Sequence, residues 1–116
     1  MQTEETRALI KTYYATLPTG DREKLASLFT EDIVWHPPES APIEVIKGRE
    51  AVAAELGGDT PKRIFDMKTF QLKIHRMLAD GDTAVVQHSI SAKTREGEQY
   101  DNEYCWVYQC RDGKIA

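Results

Sequence analysis

The chain has 116 residues, of which 41% are hydrophobic and 29% charged, and its formal net charge is −4 at pH 7. This length and composition fit one globular domain with a single hydrophobic core. A net negative charge without a basic cluster argues against a nucleic-acid partner, and no apolar run approaches the roughly 20 residues of a membrane span. The N-terminal sequence MQTEETRALIK lacks the apolar segment of a signal peptide, so we expect a cytoplasmic protein.

Three helices are predicted in the first half of the chain. Thr3 can cap the first of them, and Asp21 can cap a second, shorter one. Gly48 begins a third helix, which ends at Leu56 because a pair of glycines follows. Residues 59–63 are typical of a linker.

A short strand is predicted between the second and third helices, at residues 33–36. Pro37 and Pro38 end it, because proline lacks the N–H that a sheet ladder needs. The weakly patterned residues 39–47 that follow predict a loop, with a short extended piece at 44–46.

The second half of the chain has the pattern of an antiparallel meander. From about Met67 the apolar residues recur with a period of two, which is the period of a strand with one buried face. Asp80 and Gly81 mark a hairpin turn, after which Thr83–Thr94 predicts a second long strand. Residues 95–98 then turn the chain into a third strand.

The third long strand is aromatic on one face, because strand side chains alternate between the two faces of a sheet. The side chains at every second position along it are Asn102, Tyr104, Trp106, Tyr108 and Cys110. Residues 111–113 form a tight reversal, and 114–116 begin another strand that the chain does not complete. Either the sequence is cut short within its final strand, which we expect, or the sheet has an exposed edge that another chain could cover.

Helices grouped before a run of hairpins predict an α+β domain with the helices packed on one face of the sheet. The sequence contains no internal repeat, low-complexity tract or second domain, so residues 1–116 form one domain.

The two cysteines, Cys105 and Cys110, would lie about 16 Å apart along one strand and face opposite sides. A disulfide needs Cα atoms within about 7 Å, so both should be reduced thiols. No cysteine or histidine pair has metal-ligand spacing, so we expect no metal site.

The gap between the helices and the curved sheet is the natural place for a ligand, since such sites are mostly apolar with a few convergent polar groups. Four polar side chains fall on faces assigned to this interior: Tyr13, His36, His88 and Asn102. There is no nucleophile elbow, phosphate-binding glycine loop or dinucleotide fingerprint elsewhere in the chain.

His36 is the first candidate for catalysis. It shares a strand face with Val34 and stands where that strand ends, the usual position of a group at a pocket mouth. A histidine with a pKa of about 6.5 could accept a proton there near neutral pH. The alternative is a half-exposed histidine held beside two prolines.

Each of the other candidate site residues could have a purely structural role instead of a functional one. His88 could line the pocket or be a satisfied core histidine. Tyr13 could donate a hydrogen bond to a bound carbonyl, and Asn102 could orient a ligand or bond a turn. The aromatic face of the third strand could line a flat apolar ligand or serve as core: Tyr104, Trp106 and Tyr108.

Four segments carry a resemblance to a known family: YYATLPTGD, DIVWHPP, KGREAV and NEYCWVYQCRDGKI. Together with the order of elements, they resemble the SnoaL-like branch of the nuclear transport factor 2-like superfamily, and ketosteroid isomerase and scytalone dehydratase are similar in fold. The resemblance implies a cone-shaped, cystatin-like α+β barrel with three N-terminal-half helices on the concave face of a bent sheet. It also implies a homodimer through the outer sheet face. The superfamily mixes enzymes and binding modules, so activity does not follow from fold.

The resemblance places three residues of this chain at known positions of ketosteroid isomerase. Tyr13 falls where the isomerase has its oxyanion-binding tyrosine, and His36 where it has its catalytic aspartate. Trp106 falls where it has a second acid, which a tryptophan cannot replace. Scytalone dehydratase is similar in using tyrosines, two histidines and an asparagine, a set that Tyr13 or Tyr14, His36, His88 and Asn102 could approximate.

The leading hypothesis is a cofactor-independent isomerase or lyase acting on an apolar molecule that bears a carbonyl or hydroxyl group. His36 would be its general base, Tyr13 the hydrogen-bond donor, and His88 and Asn102 the orienting groups. A non-catalytic module that binds a small ligand is the second hypothesis. The third is a domain whose main role is dimerisation, through an apolar outer sheet face around Cys105 and Val107.

Overall fold

The computed structural model describes residues 1–40, 43–57 and 59–116, with the backbone alone described at 59 and 60. Helices dominate the first half of the chain, as predicted. A 3₁₀ turn at Leu17–Thr19 follows the first helix. The α-helices are α1 (Thr3–Thr16), α2 (Arg22–Ser27), α3 (Arg49–Leu56) and α4 (Asp59–Ile64).

The strands form two sheets. The smaller sheet pairs two short strands, and the larger one is an antiparallel meander in chain order that curls into a half-barrel. This arrangement confirms the predicted α+β class and the cone-like fold. The strands are β1 (Val34–Trp35), β2 (Ile46–Lys47), β3 (Phe65–Asp80), β4 (Thr83–Thr94), β5 (Gln99–Arg111) and β6 (Lys114–Ile115).

The first two helices differ in how their N-termini are capped. The prediction that Thr3 caps α1 is wrong: Gln2 is the capping residue, and its backbone N–H donates to Oε1 of Glu5 at 3.2 Å. The Thr3 hydroxyl oxygen instead accepts a hydrogen bond from the backbone of Gly81 at 2.9 Å, because α1 lies against the β3–β4 hairpin. Asp21 does cap α2, accepting from the Lys24 N–H at 3.0 Å.

The predicted linker at residues 59–63 is wrong, because α4 occupies this segment. Pro61 is compatible with a helix here since it lies in the first turn, where its missing N–H costs nothing. Arg95, in the turn after β4, fixes the end of α4: its side chain donates to the Lys62 carbonyl at 2.8 Å and its backbone N–H to the Ile64 carbonyl at 3.0 Å. Gly58, expected to end α3, lies outside the described residues, but Gly57 does follow that helix.

The long strands agree closely with the predicted meander. β3 begins two residues earlier than expected, and β4 has the predicted bounds. The turn between them contains Gly81, which has φ 59° and so adopts the left-handed conformation that glycine tolerates. In the β4–β5 register Trp106 pairs with Val86 and Tyr104 pairs with His88, so these four side chains share the concave face.

The first strand is shorter than predicted. Only Val34 and Trp35 pair with β2, so His36 lies just beyond the strand rather than at its last position. Pro37 follows immediately and cannot extend the ladder.

The hydrophobic core lies between the helices and the concave face of the sheet. Ile10 of α1, Leu25 of α2 and Val52 of α3 are fully buried against Phe29 and Val86. The core fills the end of the cone near β6, where the Ile115 N–H donates to the Leu28 carbonyl.

Both cysteines are free, as predicted; Cys105 is exposed and Cys110 is buried. Within the described residues, no three acidic, cysteine or histidine side chains cluster closely enough to hold a metal ion. No helix in the described part of the chain has the length and hydropathy to cross a membrane.

Candidate functional site

A cavity of about 240 Å³ opens between the helices and the concave face of the sheet. Seven of the sixteen described residues that line it carry a Phe, Tyr or Trp ring. The lining residues are Tyr13, Leu17, Trp35, Glu55, Leu56, Pro61, Ile64, Phe65, Met67, Phe70, Leu72, His88, Ile90, Tyr104, Trp106 and Tyr108. The cavity is therefore an apolar space with a few polar groups on its wall, which is the usual composition of a small-molecule site.

Stacked rings form one wall of the cavity. Trp35 of β1 stacks on Trp106 of β5, with ring centroids 5.7 Å apart and an interplanar angle of 27°. Tyr104 follows at 6.1 Å and 18°. The stack is possible because alternate residues of β5 face the same side, while β1 crosses close to that strand. Trp106 is thus held between the rings of Trp35 and Tyr104 in the wall of the cavity.

His88 continues this stack into β4. Its ring lies 5.2 Å from that of Tyr104 at 25°, and it meets the edge of the Tyr14 ring at 5.2 Å. The side chain is 3% exposed, and its Nδ1 has no hydrogen-bond partner in the described structure. Burial lowers the pKa of His88 below 6.5, and the charge of His75 acts in the same direction, while the Ser89 backbone opposes them. His88 is therefore neutral at pH 7.

Three tyrosines meet beside His88. The hydroxyl oxygens of Tyr14 and Tyr108 lie 2.6 Å apart, and the Tyr13 ring packs edge-on against both rings at 5.1 and 5.5 Å. Burial raises the pKa of Tyr13 and of Tyr108 well above 10 and that of Tyr14 to about 12. All three hydroxyls therefore keep their protons at neutral pH and can donate hydrogen bonds.

The tyrosines differ in their access to the cavity. Tyr13 and Tyr108 line it, whereas Tyr14 does not and lies behind Tyr108. A Tyr14 hydroxyl that donates to Tyr108 would leave the Tyr108 proton free to point at a ligand.

His36 does not line this cavity. It is exposed and borders a second, smaller cavity of about 90 Å³, together with Val34. Both cavities are lined by Tyr13, Trp35, Leu56, Trp106 and Tyr108. Tyr13 thus borders one cavity with His88 and the other with His36, while the two histidines do not line the same space.

Asn102 lies near the far end of β5 and is exposed. Its Nδ2 donates to the Tyr100 hydroxyl at 3.2 Å, and that hydroxyl is hydrogen-bonded to the hydroxyl of Tyr104. Burial, with the neighbouring Tyr100, raises the pKa of Tyr104 to about 12. Asn102 does not line the large cavity. Its described connection to the cavity is the hydrogen-bonded chain from Asn102 through Tyr100 to Tyr104, which does line it.

The sequence comparison now decides the family. A family model of the SnoaL-like domain matches residues 10–116, which is nearly the whole chain. The chain belongs to the SnoaL-like family. No functionally curated protein matches this SnoaL-like chain in sequence at a significant level.

Solved structures agree with this assignment. Bal32a, from a soil-derived mobile gene cassette, is 27% identical with a TM-score of 0.82, and the match covers 99% of this SnoaL-like chain and 86% of Bal32a. A candidate ketosteroid isomerase from Kribbella flavida is 28% identical with a TM-score of 0.77, over 97% and 73% of the two chains. An LEH-like epoxide hydrolase from M. tuberculosis is 21% identical with a TM-score of 0.78, over 97% and 78%, and shares the fold.

Sequence reasoning missed most of the apolar residues that line the cavity, among them Trp35, and it also missed the charged residue of the described lining, Glu55. This half-buried residue of α3 contributes the one carboxylate found among the described lining residues. Its position was detectable, because Glu55 stands three residues after the buried Val52 and therefore on the same side of the helix.

Proposed function

We propose that this SnoaL-like protein binds a mainly apolar molecule of one or two rings in the large cavity. The observation that carries the proposal is the cavity of about 240 Å³ walled by stacked rings. An apolar cavity of about 150 Å³ admits benzene, and sites for drug-sized ligands begin at about 300 Å³. The volume of this cavity falls between these limits, so it favours a small ring system over a four-ring steroid.

The polar groups of the wall support acid–base chemistry without a cofactor, on a substrate with a carbonyl or hydroxyl group. His88 is the neutral base, and Tyr13 and Tyr108 are the hydrogen-bond donors. In an isomerisation, a C–H bond next to the carbonyl breaks and its proton passes to the His88 ring. The tyrosine hydroxyls stabilise the resulting enolate oxygen, and His88 returns the proton to another carbon.

This assignment moves the base from His36 to His88. The reason is burial, since His88 is buried in the wall of the larger cavity while His36 is exposed beside the smaller one. Tyr13 and Tyr108 line both cavities, so the donors are within reach of either space. The likeness to the Kribbella flavida candidate isomerase, at 28% identity, favours an isomerase over other reactions. A positioned side chain that transfers a proton contributes about 10²- to 10⁴-fold to the rate.

A non-catalytic ligand-binding role is the second candidate, and one observation favours it. Catalytic histidines are usually oriented by a partner on the second ring nitrogen, whereas Nδ1 of His88 has none in the described structure. A protein that only holds its ligand has no need of a fixed tautomer.

The outer face of the sheet supports a proposed homodimer. Leu78, Val85 and Val107 pair across three strands on this face, and Leu78 and Val107 are 59% and 67% exposed. These exposed apolar side chains would be buried if the same sheet face of a second chain packed against them. We propose a cytoplasmic location for this dimer, from the composition of the chain.

The proposal is tested by finding a ligand and then removing each histidine. A fragment library of one- and two-ring ketones and alcohols is screened by tryptophan fluorescence, because Trp35 and Trp106 line the cavity. Ile90→Trp, which fills the cavity, should abolish binding, and Val107→Trp on the outer face should not. Hits that bind Ile90→Trp as well as wild type would exclude the cavity as the site.

Turnover of the hits then separates the candidate bases. His88→Gln should reduce the rate at least about 10²-fold, while His36→Gln should leave it within about 2-fold. The reverse result would assign the base to His36. Ligands that bind tightly and are never converted would support the binding module.

A further inference from the structure

The wall of the large cavity carries one full charge within the part of the chain that the structure describes. Glu55 supplies it, and no lysine or arginine is found among the described lining residues. His88 is the other lining residue whose type titrates near neutral pH, and it is neutral because burial lowers its pKa. A ligand in this space therefore meets a negative electrostatic potential.

Glu55 has no hydrogen bond or ion pair with any described residue, in contrast to another glutamate of the same helix. Glu50 is 74% exposed and lies 3.9 Å from the guanidinium of Arg22. A carboxylate that is half-buried beside apolar groups and lacks a protein partner loses hydration without compensation. A positively charged ligand would supply the missing partner.

The aromatic wall has an independent preference for a cation. Ring faces carry negative charge, and tryptophan attracts a cation most strongly, within about 6 Å of its centroid. Trp35, Trp106 and Tyr104 all line the cavity and are stacked on one another. Trp35 ends this stack, so one of its faces is not covered by another ring of the stack. The Glu55 carboxylate and these aromatic side chains thus line one space.

We propose that the ligand of this cavity carries a cationic nitrogen, an ammonium or alkylated ammonium group, which pairs with Glu55 and lies against the aromatic wall. The inference rests on the proposed function, since it requires that the large cavity binds a small molecule. It adds that Glu55 selects cations over neutral molecules of equal shape and excludes carboxylates. The net charge of the chain, −4, acts in the same direction at long range.

The test uses three probes of similar size that differ in charge: benzyltrimethylammonium, its neutral carbon isostere neopentylbenzene, and the anion phenylacetate. Binding is measured by tryptophan fluorescence and calorimetry on wild type, Glu55→Gln and Glu50→Gln. The two variants change the net charge of the chain equally, but Glu50 lies outside the cavity lining. Glu50→Gln therefore controls for long-range charge.

Wild type should bind the cation about 10-fold or more tightly than the neutral isostere, because only the cation gains the attraction of the Glu55 carboxylate. Glu55→Gln should remove most of this preference, leave neopentylbenzene unchanged and raise the affinity for phenylacetate. Glu50→Gln should alter none of the three affinities more than about 2-fold.

Two results overturn the inference alone: neopentylbenzene binding wild type as tightly as the cation, or Glu55→Gln keeping the full cation preference. In both cases the cavity still binds small molecules, so the proposed function stands. If no probe binds and the one- and two-ring fragments also fail, the proposed function falls and the inference falls with it.

Discussion

The hydroxyl oxygens of Tyr14 and Tyr108, 94 residues apart in sequence, lie 2.6 Å from each other and join α1 to β5. This hydrogen bond closes the inner end of the large cavity, because Tyr108 lines the cavity and Tyr14 supports it from behind. The Tyr14 side chain is buried and that of Tyr108 is half-buried, so water has limited access to this hydrogen bond. The pair should contribute to both stability and cavity shape.

Tyr14→Phe should lower the free energy of unfolding by about 0.5–1.5 kcal/mol, because it removes one of the two tyrosine hydroxyls, those of Tyr13 and Tyr14, that bond to the Tyr108 hydroxyl. Tyr108→Phe should cost a similar amount. The double variant should cost less than the sum, with a coupling energy of about 0.5–1.5 kcal/mol from a urea-denaturation cycle. Strict additivity of the two substitutions would show that the hydrogen bond contributes nothing to stability.

His88 should make stability depend on pH. Its pKa is lower in the folded protein than the unfolded value of about 6.5, so the unfolded chain binds more protons as the pH falls below that value. The free energy of unfolding should therefore be highest above pH 7, decrease as the pH falls through about 6.5, and level off below the lowered folded pKa. Urea midpoints measured between pH 5 and 8 check this.

Two variants separate His88 from the other ionisable groups. His88→Gln should flatten the pH dependence of stability in that range, whatever its effect on stability itself. His36→Gln removes a histidine that is exposed in the folded state and should keep the slope of wild type. An unchanged slope in His88→Gln would contradict the assignment.

Much of the large cavity could be predicted from the period-two pattern of the strands. Alternation alone placed Tyr104, Trp106 and Tyr108 on one face of β5 and His88 on the matching face of β4, and the register confirms both faces. Hairpin signals at Gly81 and the following turns defined the meander, because short loops leave little freedom in pairing.

The position of His36 could not be predicted in the same way. β1 has only two paired residues, so alternation carries no information beyond Trp35. The lining position of Glu55 was missed for another reason: α3 is about two turns long, and two turns contain too few buried positions to fix the boundary between its apolar and polar faces. Contacts of high sequence separation, such as Tyr14 with Tyr108, leave no local signal at all.

The core should be sensitive to loss of volume at Leu25, which is fully buried between the helices and Phe29. Leu25→Ala should lower the free energy of unfolding by about 2–5 kcal/mol, through lost burial and the cavity left behind. Leu78→Ala deletes the same atoms from a side chain that is 59% exposed and should cost much less, about 0.5 kcal/mol or under in the monomer. Equal costs for the two substitutions, measured in urea, would contradict the described core.

The β3–β4 hairpin is tied to α1 by two threonines that contact one glycine. The Thr6 hydroxyl donates to the Gly81 carbonyl at 2.5 Å, and the Gly81 N–H donates to the Thr3 hydroxyl oxygen at 2.9 Å. Thr6 is fully buried, so Thr6→Val keeps the shape of the side chain and leaves the carbonyl unpaired.

We expect Thr6→Val to cost about 1–3 kcal/mol in the free energy of unfolding, and Thr6→Ser to cost less because it keeps the donor. Hydrogen exchange should report the same contact locally, with faster exchange of the Gly81 amide in Thr3→Val, which removes its acceptor. Thr12→Val is the matched control, since the Thr12 hydroxyl is exposed and bonds only within α1, to the Ala8 carbonyl. If Thr6→Val were no more destabilising than Thr12→Val, the hairpin would be held to α1 by packing alone.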